Sequence, residues 1–234
     1  MNKRFITYSL LIGMFGFAQI SCSKFLDKNI QGVYSTSQYY TSSNAAMQAI
    51  NAAYSQLKFT SATANPLWVF GDVASDDAAT GNVGASPDAS TIDNFSFSTT
   101  NSHLTNEWAN LYQGITNCNL VLANVPSINM DTALRSRILG EAKFLRAWYY
   151  FTLVNIYGDV PVVVKPLAPE ELQVTQSPVK DIYEGVIEPD LKSALTNLPA
   201  NYSGADVGRA TGGAAAALLA KAYLYQQKWD SSLI

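Results

Sequence analysis

The sequence predicts an all-α protein, and three observations lead to this prediction. Apolar residues recur at intervals of three and four over several long stretches. Most of these stretches begin at a capping residue and end near a Gly or a Pro. A short β-branched run, residues 160–164, contains Pro161 and is followed by Pro166, so we expect an extended connector there instead of a sheet strand.

Composition limits the class of function. The chain has 234 residues, enough for one sizeable core or two small ones. Hydrophobic residues make up 48% of it and charged residues only 14%, which excludes intrinsic disorder. With 15 basic and 18 acidic side chains the net charge is −3, so we expect no nucleic-acid partner. Neutral polar groups take the place of charges, which suits a secreted protein that handles uncharged ligands.

The first residues have the pattern of an export signal. Lys3 and Arg4 precede a charge-free stretch, residues 5–21, and Cys22 follows it. A basic start, a short apolar stretch and a small residue before the cut are typical of a secretory leader. We therefore predict a lipoprotein signal peptide at 1–21 and a lipid-modified Cys22, since two or more acyl chains anchor a protein stably to a membrane. A plain secretory leader and an N-terminal membrane anchor are the alternatives.

One helix and one long loop come next. Small apolar residues after the capping run 41–44 predict a helix over 42–58. Residues 59–101 are rich in Ser, Thr, Gly, Asn and Asp and predict a long loop, and loops of this length in a compact domain are usually functional. No lysine or arginine occurs between Lys58 and Arg135, whereas acids are frequent there, so we expect this region to repel anionic ligands.

Two helical hairpins follow the loop. The four helices are expected over residues 105–125, 131–157, 177–198 and 211–224. A short link between the first two makes them an antiparallel pair, and Pro189 is a point of disturbance in the third. Such pairs indicate a helical repeat, and their spacing of small and aromatic residues resembles that of tetratricopeptide repeats, which are scaffolds for partner binding.

Four segments, in order along the chain, resemble the SusD/RagB family of outer-membrane lipoproteins. They are Cys22 with the residues 23–27 after it, residues 108–119 (WANLYQGITNCN), residues 140–151 (GEAKFLRAWYYF) leading into 157–161 (YGDVP), and residues 208–211 (GRAT) before an Ala-rich helix. The third segment is the most specific, and the resemblance extends over essentially all of the mature chain.

The resemblance implies a SusD-like fold, which is all-α with tetratricopeptide-like helical hairpins and long irregular loops. It also implies a place on the outer face of the outer membrane. The implied partner is a SusC-like TonB-dependent barrel, to which the protein passes glycan or peptide nutrients by binding, without catalysis. Family members are usually about twice as long, so we expect residues 22–234 to be the N-terminal helical-repeat region, without the C-terminal half of the family fold.

The loop also supplies candidate ligand-binding residues. Sugar recognition needs aromatic faces for the apolar side of a pyranose ring, and neutral or acidic groups for its hydroxyls. The 59–101 segment contains both, and our candidates are Trp68, Phe70, Asp72, Asn94 and Phe97. The alternative role of Trp68 and Phe70 is to anchor the loop by packing.

Metal binding and catalysis have few candidates. Clustered carboxylates bind Ca²⁺, so Asp72, Asp76 and Asp77 are a candidate calcium site, although their spacing is not that of an EF-hand and solvated acids are the simpler interpretation. We expect no other cofactor and no catalytic residue, because His103 is the only histidine and Cys118 falls in an apolar helical pattern. The alternative functions are a tetratricopeptide-type adaptor for a protein partner and a surface glycosidase.

Overall fold

The computed structural model describes residues 36–58, 67–81 and 87–232. The predicted signal peptide at 1–21 and Cys22 lie outside the described residues. Residues up to Tyr39 form a unit of their own, of which one short helix, α1 (Thr36–Tyr39), is described. All elements discussed below belong to the second unit, Tyr40–Ile234.

The second unit is helical, which confirms the predicted all-α class. Its α-helices are α2 (Ser43–Ser55), α3 (Pro87–Asp93), α4 (Ser102–Asn124), α5 (Thr132–Tyr157), α6 (Val179–Ile182), α7 (Glu188–Asn197) and α8 (Gly212–Tyr225). π-Helical turns cover Leu67–Val73 and Tyr183–Ile187, and 3-10 turns cover Val125–Ser127, Pro169–Glu171, Gly204–Asp206 and Asp230–Ser232. Two short strands, β1 (Val160–Pro161) and β2 (Gln176–Ser177), pair antiparallel. Within the described ranges, no helix is both long and apolar enough to span a membrane.

Helix α5 is central and packs against α2, α4 and α7. Since an α-helix has about 3.6 residues per turn, apolar residues spaced by three or four share one face. The predicted face of α5 is fully buried at its centre, at Ile138, Ala142, Leu145 and Tyr149, and partly buried toward its ends, at Leu134, Thr152 and Ile156. Of the two residues at the predicted start of this helix, Asp131 and Thr132, it is Asp131 that caps it, by accepting a hydrogen bond from the backbone N–H of Leu134 at 2.8 Å.

A single tyrosine sets the spacing of three helices. A Cβ atom on Gly114 of α4 would lie 2.5 Å from Cζ of Tyr149 on α5, so only glycine fits at this crossing. The hydroxyl of Tyr149 donates a hydrogen bond to the carbonyl oxygen of Ala53 in α2 at 2.7 Å. Cys118, one turn further along α4, is fully buried as predicted. Burial also raises the pKa of its thiol, as expected for an unreactive cysteine.

The second helical pair consists of α6–α7 and α8, and α8 packs against α7. Helix α6 continues through the π-helical turn Tyr183–Ile187 into α7. Pro189 has no N–H to donate to the preceding turn, so the helix is widened just before it, and the predicted disturbance is confirmed. Thr211 caps α8, as predicted, by accepting a hydrogen bond from the backbone N–H of Ala214 at 3.1 Å.

Two predictions of local structure were wrong in part. The segment 59–101 is not one irregular loop, since it contains the π-helical turn Leu67–Val73 and α3. Helix α4 begins at Ser102, three residues before the predicted start, because Asn101 accepts hydrogen bonds from the N–H groups of the first turn.

The connector after α5 also differs from its prediction. Val160–Pro161 pairs with Gln176–Ser177 as a two-residue strand. A strand this short has a free edge, and proline is tolerated there because its missing N–H removes no ladder hydrogen bond.

A buried ion pair joins α5 to α7. Arg146 and Asp190 are 9% and 5% exposed, and Nε and Nη2 of Arg146 donate to the two carboxylate oxygens of Asp190 at 2.7 and 2.9 Å. Nη1 of Arg146 donates to Oδ1 of Asn119 in α4 at 2.8 Å and to the carbonyl oxygen of Val164 at 3.1 Å. One guanidinium therefore ties two helices and a connector to α5, with its charge compensated.

A second buried carboxylate holds the segment before α8. Glu141 of α5 is fully buried and forms ion pairs with Arg209 (Nη1–Oε2, 2.9 Å) and Arg137 (Nε–Oε1, 3.3 Å), and not with Arg146 on its own helix. Burial raises the pKa of Glu141, against the lowering effect of the two guanidinium groups. Nη2 of Arg209 also donates to Oδ1 of Asn51 in α2 at 2.7 Å, so the chain before α8 is bound to two helices.

The Arg146–Asp190 pair leads to a stability prediction. Arg146→Met should lower the free energy of unfolding, measured by urea titration, by about 3–5 kcal/mol, because Asp190 stays buried without a cation. Adding Asp190→Leu should recover much of this loss, since neither charge is then buried. Lys165→Met is the control: its pair with Glu171 is exposed and screened by solvent, so this variant should change the free energy of unfolding little. Equal losses for the two single variants would contradict the prediction.

Candidate functional site

Polar contacts hold α3 against the start of α4. Oδ2 of Asp88 accepts a hydrogen bond from the backbone N–H of Ser102 at 2.9 Å, and Oδ2 of Asp93 accepts from N and Oγ1 of Thr80 at 2.8 and 2.9 Å. The hydrogen bonds from Ser102 and Thr80 lower the pKa values of these two carboxyl groups. Both carboxylates thus act as fixed acceptors that shape this region.

Three of the predicted ligand residues lie on one short segment. Trp68, Phe70 and Asp72 belong to the π-helical turn Leu67–Val73, which packs against α3. Trp68 is 41% exposed, and its indole meets the imidazole of His103 edge-on, with ring centroids 6.2 Å apart. Phe70 is half-buried and Asp72 is exposed. Trp68 therefore combines a packing contact with an accessible face, two roles that the sequence presented as alternatives.

The other two predicted residues lie on the turn after α3. Oδ1 of Asn94 accepts a hydrogen bond from the backbone N–H of Ser96 at 3.2 Å, and Phe95 has a left-handed φ of 55°. This turn directs phenyl rings to solvent, since Phe95 is 70% exposed and Phe97 is 45% exposed. Because the segment with Trp68 packs on α3 and this turn leaves α3, both groups of predicted residues lie around that helix.

The three aspartates proposed for calcium do not converge. Asp72, Asp76 and Asp77 are all exposed. In the described part of the chain, no group of three or more His, Cys, Asp or Glu side chains is arranged to hold a metal ion.

Two pockets flank Trp108 of α4, and neither was predicted. One has a volume of about 330 Å³ and is lined by Thr99, Leu104, Thr105, Trp108 and Tyr157. The other, about 320 Å³, lies between α4 and the connector residues 161–167. The indole of Trp108 separates them and packs on Tyr112 and Tyr157, with ring centroids 4.9 and 5.0 Å away. Thr99 follows Phe97 by two residues, so the loop meets the first pocket at the start of α4.

Only one wall of these pockets could have been inferred from the sequence. Trp108 and Tyr112 are four residues apart and share one face of α4. The second wall depends on a contact that spacing does not reveal, because the hydroxyl of Tyr112 donates to the carbonyl oxygen of Pro161 at 2.7 Å. This hydrogen bond holds the connector over α4 and so forms the pocket.

Glu107 is an isolated acid on the buried face of α4. It is fully buried, and neither carboxylate oxygen receives a hydrogen bond within the described residues. Burial raises the pKa of Glu107 to about 7. Its side chain is therefore neutral in the folded protein at acidic pH and becomes a buried, uncompensated charge above neutrality.

Comparison with known families identifies this architecture. The sequence profile of a family described as "Starch-binding associating with outer membrane" matches residues 20–224 of the chain. The chain belongs to the SusD-like family. The resemblance seen in the four sequence segments is thereby confirmed.

Relatives of this SusD-like chain are longer than it is. SusD-like protein P25 of Formosa agariphila is 29% identical over 99% of the chain, and a SusD-like protein of Bacteroides ovatus is 28% identical over 90% of it. The chain spans 44% and 38% of the lengths of these two relatives.

Solved SusD-like structures share the fold. A laminarin binding SusD-like protein superposes with a TM-score of 0.75 and 33% identity, covering 82% of this chain and 42% of that one. A SusD-like protein from Bacteroides fragilis superposes with a TM-score of 0.69 and 26% identity, covering 83% and 37%. The predicted SusD-like fold is therefore confirmed.

The buried Glu107 predicts a pH-dependent stability. Its pKa is raised from 4.5 to about 7 by folding, so between these values the folded chain holds a proton that the unfolded chain has lost. The resulting stabilisation is fully present below pH 4.5 and is lost as the pH rises through 7, by on the order of 3 kcal/mol. Glu107→Gln removes this titration, so its free energy of unfolding should fall less between pH 5 and pH 8 in urea titrations.

The control for this prediction is Glu170→Gln, which changes an exposed carboxyl. It should follow the parent at both pH values. An identical pH dependence in Glu107→Gln and the parent would show that Glu107 does not titrate as predicted.

Proposed function

We propose that this chain belongs to a cell-surface outer-membrane lipoprotein that binds glycan or peptide nutrients and passes them to a SusC-like TonB-dependent transporter. Family membership supports the ligand class and the membrane, because the family description names starch binding in association with the outer membrane. The leader pattern before Cys22 supports a lipid anchor. Because the chain spans 44% of the P25 relative, the proposed activity is that of the whole protein.

The aromatic surface at the start of α4 carries the proposal. Trp68 and Phe97 are 41% and 45% exposed, and the exposed polar residues Asp72 and Asn94 neighbour them in the chain. An aromatic ring offers an apolar face to a pyranose, and neutral or acidic groups accept hydrogen bonds from its hydroxyls. α3 and α4 are tied together by hydrogen bonds, so these groups stand on a rigid support.

The pocket beside Trp108 extends this surface. Thr99 lines it, and Tyr157 and Trp108 supply further aromatic faces. An oligosaccharide suits such an arrangement, because successive sugar units can contact successive aromatic groups. The absence of lysine and arginine between Lys58 and Arg135 favours a neutral glycan, and the laminarin binding neighbour supports the same class.

We propose binding without catalysis at this surface. A glycosidase needs two carboxyl groups placed across a cleft. Asp88 and Asp93 accept hydrogen bonds that hold α3 and its neighbours, and Asp76 and Asp77 are exposed on a separate turn. These positions support a structural use of the first two acids and a solvated state for the others.

Trp68 tests the binding surface. Trp68→Ala should weaken the binding of laminarin oligosaccharides, measured by isothermal titration, by about tenfold, since an aromatic contact of roughly 1–2 kcal/mol is lost. Its melting temperature should change little, because the indole is partly exposed already. Trp229→Ala is the matched control, as Trp229 is 61% exposed and lies beyond α8. Unchanged affinity in Trp68→Ala, or release of reducing ends from laminarin by the parent, would contradict the proposal.

Cys22 tests the anchor. Cys22→Ala removes the thiol that would carry the lipid, so the chain expressed in its own cells should move from the membrane fraction to the soluble fraction. Cys118→Ala is the control, because that thiol is fully buried in α4. Membrane association that persists in Cys22→Ala would favour an N-terminal membrane anchor instead.

A further inference from the structure

A third pocket lies away from Trp108, between α5, α7 and the end of α4. It has a volume of about 410 Å³, within the range of roughly 300–1,000 Å³ that is usual for small-molecule sites. Its polar lining is Ser136, Lys143, Arg146, Ser193 and Asn197, and Leu139 contributes an apolar side. The proposed glycan surface uses none of these residues.

The pocket is positively charged. Nζ of Lys143 donates one hydrogen bond, to Oγ of Ser193 at 2.8 Å, and no carboxylate of the described residues lies within 4 Å of it. An ammonium group has three N–H donors, so two remain for a ligand. The charge of Arg146 is balanced by Asp190, and no acidic residue lines the pocket. The ammonium of Lys143 thus forms no ion pair of its own among the described residues, although its charge also acts on Asp190.

The remaining lining groups match a hydroxylated ring. Ser136, Ser193 and Asn197 can exchange hydrogen bonds with hydroxyl groups, and Leu139 can pack against C–H bonds. Four of the five N–H donors of Arg146 are already used by protein groups, so Lys143 is the main donor for an anionic group. A ligand that satisfies all of these groups carries one carboxylate and several hydroxyls.

We propose that this pocket binds an acidic monosaccharide of the hexuronate class, with its carboxylate on Lys143 and its hydroxyls on Ser193 and Asn197. The site is independent of the neutral-glycan surface around Trp68. The two sites have opposite charge preferences, because a carboxylate is attracted to the pocket with Lys143 and repelled by the surface around Trp68.

Titration with three small molecules tests the proposal. The purified chain is titrated with glucuronate, with glucose as the same ring without the carboxylate, and with acetate as the carboxylate without the ring, while chemical shifts are followed by NMR. Glucuronate should bind roughly tenfold more tightly than either, because a charge-assisted hydrogen bond and the ring contacts act together. Equal affinity for glucuronate and glucose, or for glucuronate and acetate, would overturn the proposal.

Variants of the lining residues test whether glucuronate binds in this pocket. Lys143→Gln should lower the affinity for glucuronate about tenfold and leave that for glucose unchanged, whereas Lys180→Gln, an exposed lysine on α6, should have no effect. Ser193→Ala keeps the charge and should cost roughly threefold, which provides a second variant if Lys143→Gln does not fold. Laminarin binding by the same samples should be unaltered, so failure here is distinct from failure of the proposed function. Full glucuronate affinity in both variants would also overturn the proposal.

Discussion

The buried pair of Arg146 and Asp190 is the interaction on which the arrangement of the helices depends. Either charge alone would be costly in the interior, so α5 and α7 must meet in the one register that brings the two side chains together. Apolar packing tolerates small shifts between helices, whereas a bidentate ion pair has fixed directions. Through Asn119 and Val164 the same guanidinium also fixes α4 and the connector after α5.

This constraint extends to the candidate site. Asn119, which accepts from Arg146, donates to the carbonyl oxygen of Val163 at 2.8 Å, and the hydroxyl of Tyr112 donates to that of Pro161 at 2.7 Å. The connector therefore lies over α4 because polar groups of the core hold it there. Since the connector is one wall of a Trp108 pocket, the geometry of the site follows from the hydrogen-bond network of the helical hairpins.

The buried acidic side chains of this fold differ in whether they have a partner. Asp190 and Glu141 are each paired with arginine and join distant parts of the chain, whereas Glu107, on the helix that carries Trp108, is buried and receives no hydrogen bond from the described residues. Buried polar groups without a hydrogen bond cost stability and are therefore rare in native proteins. Those that do occur are often found at functional sites. Among the described residues, such a buried carboxyl group thus lies on α4, next to Trp108 in the sequence.

The sequence by itself determined the all-α class and most helix limits, because helix periodicity, caps and turn residues are local properties. It also carried the segments that mark the SusD-like family. Only the tertiary structure decided that Arg146 pairs with Asp190 and not with Glu141, that Asn101 starts α4 early, and that a connector closes a pocket over Trp108. These features depend on contacts between residues far apart in the chain, and local spacing contains no information about which distant partner a buried polar group will meet.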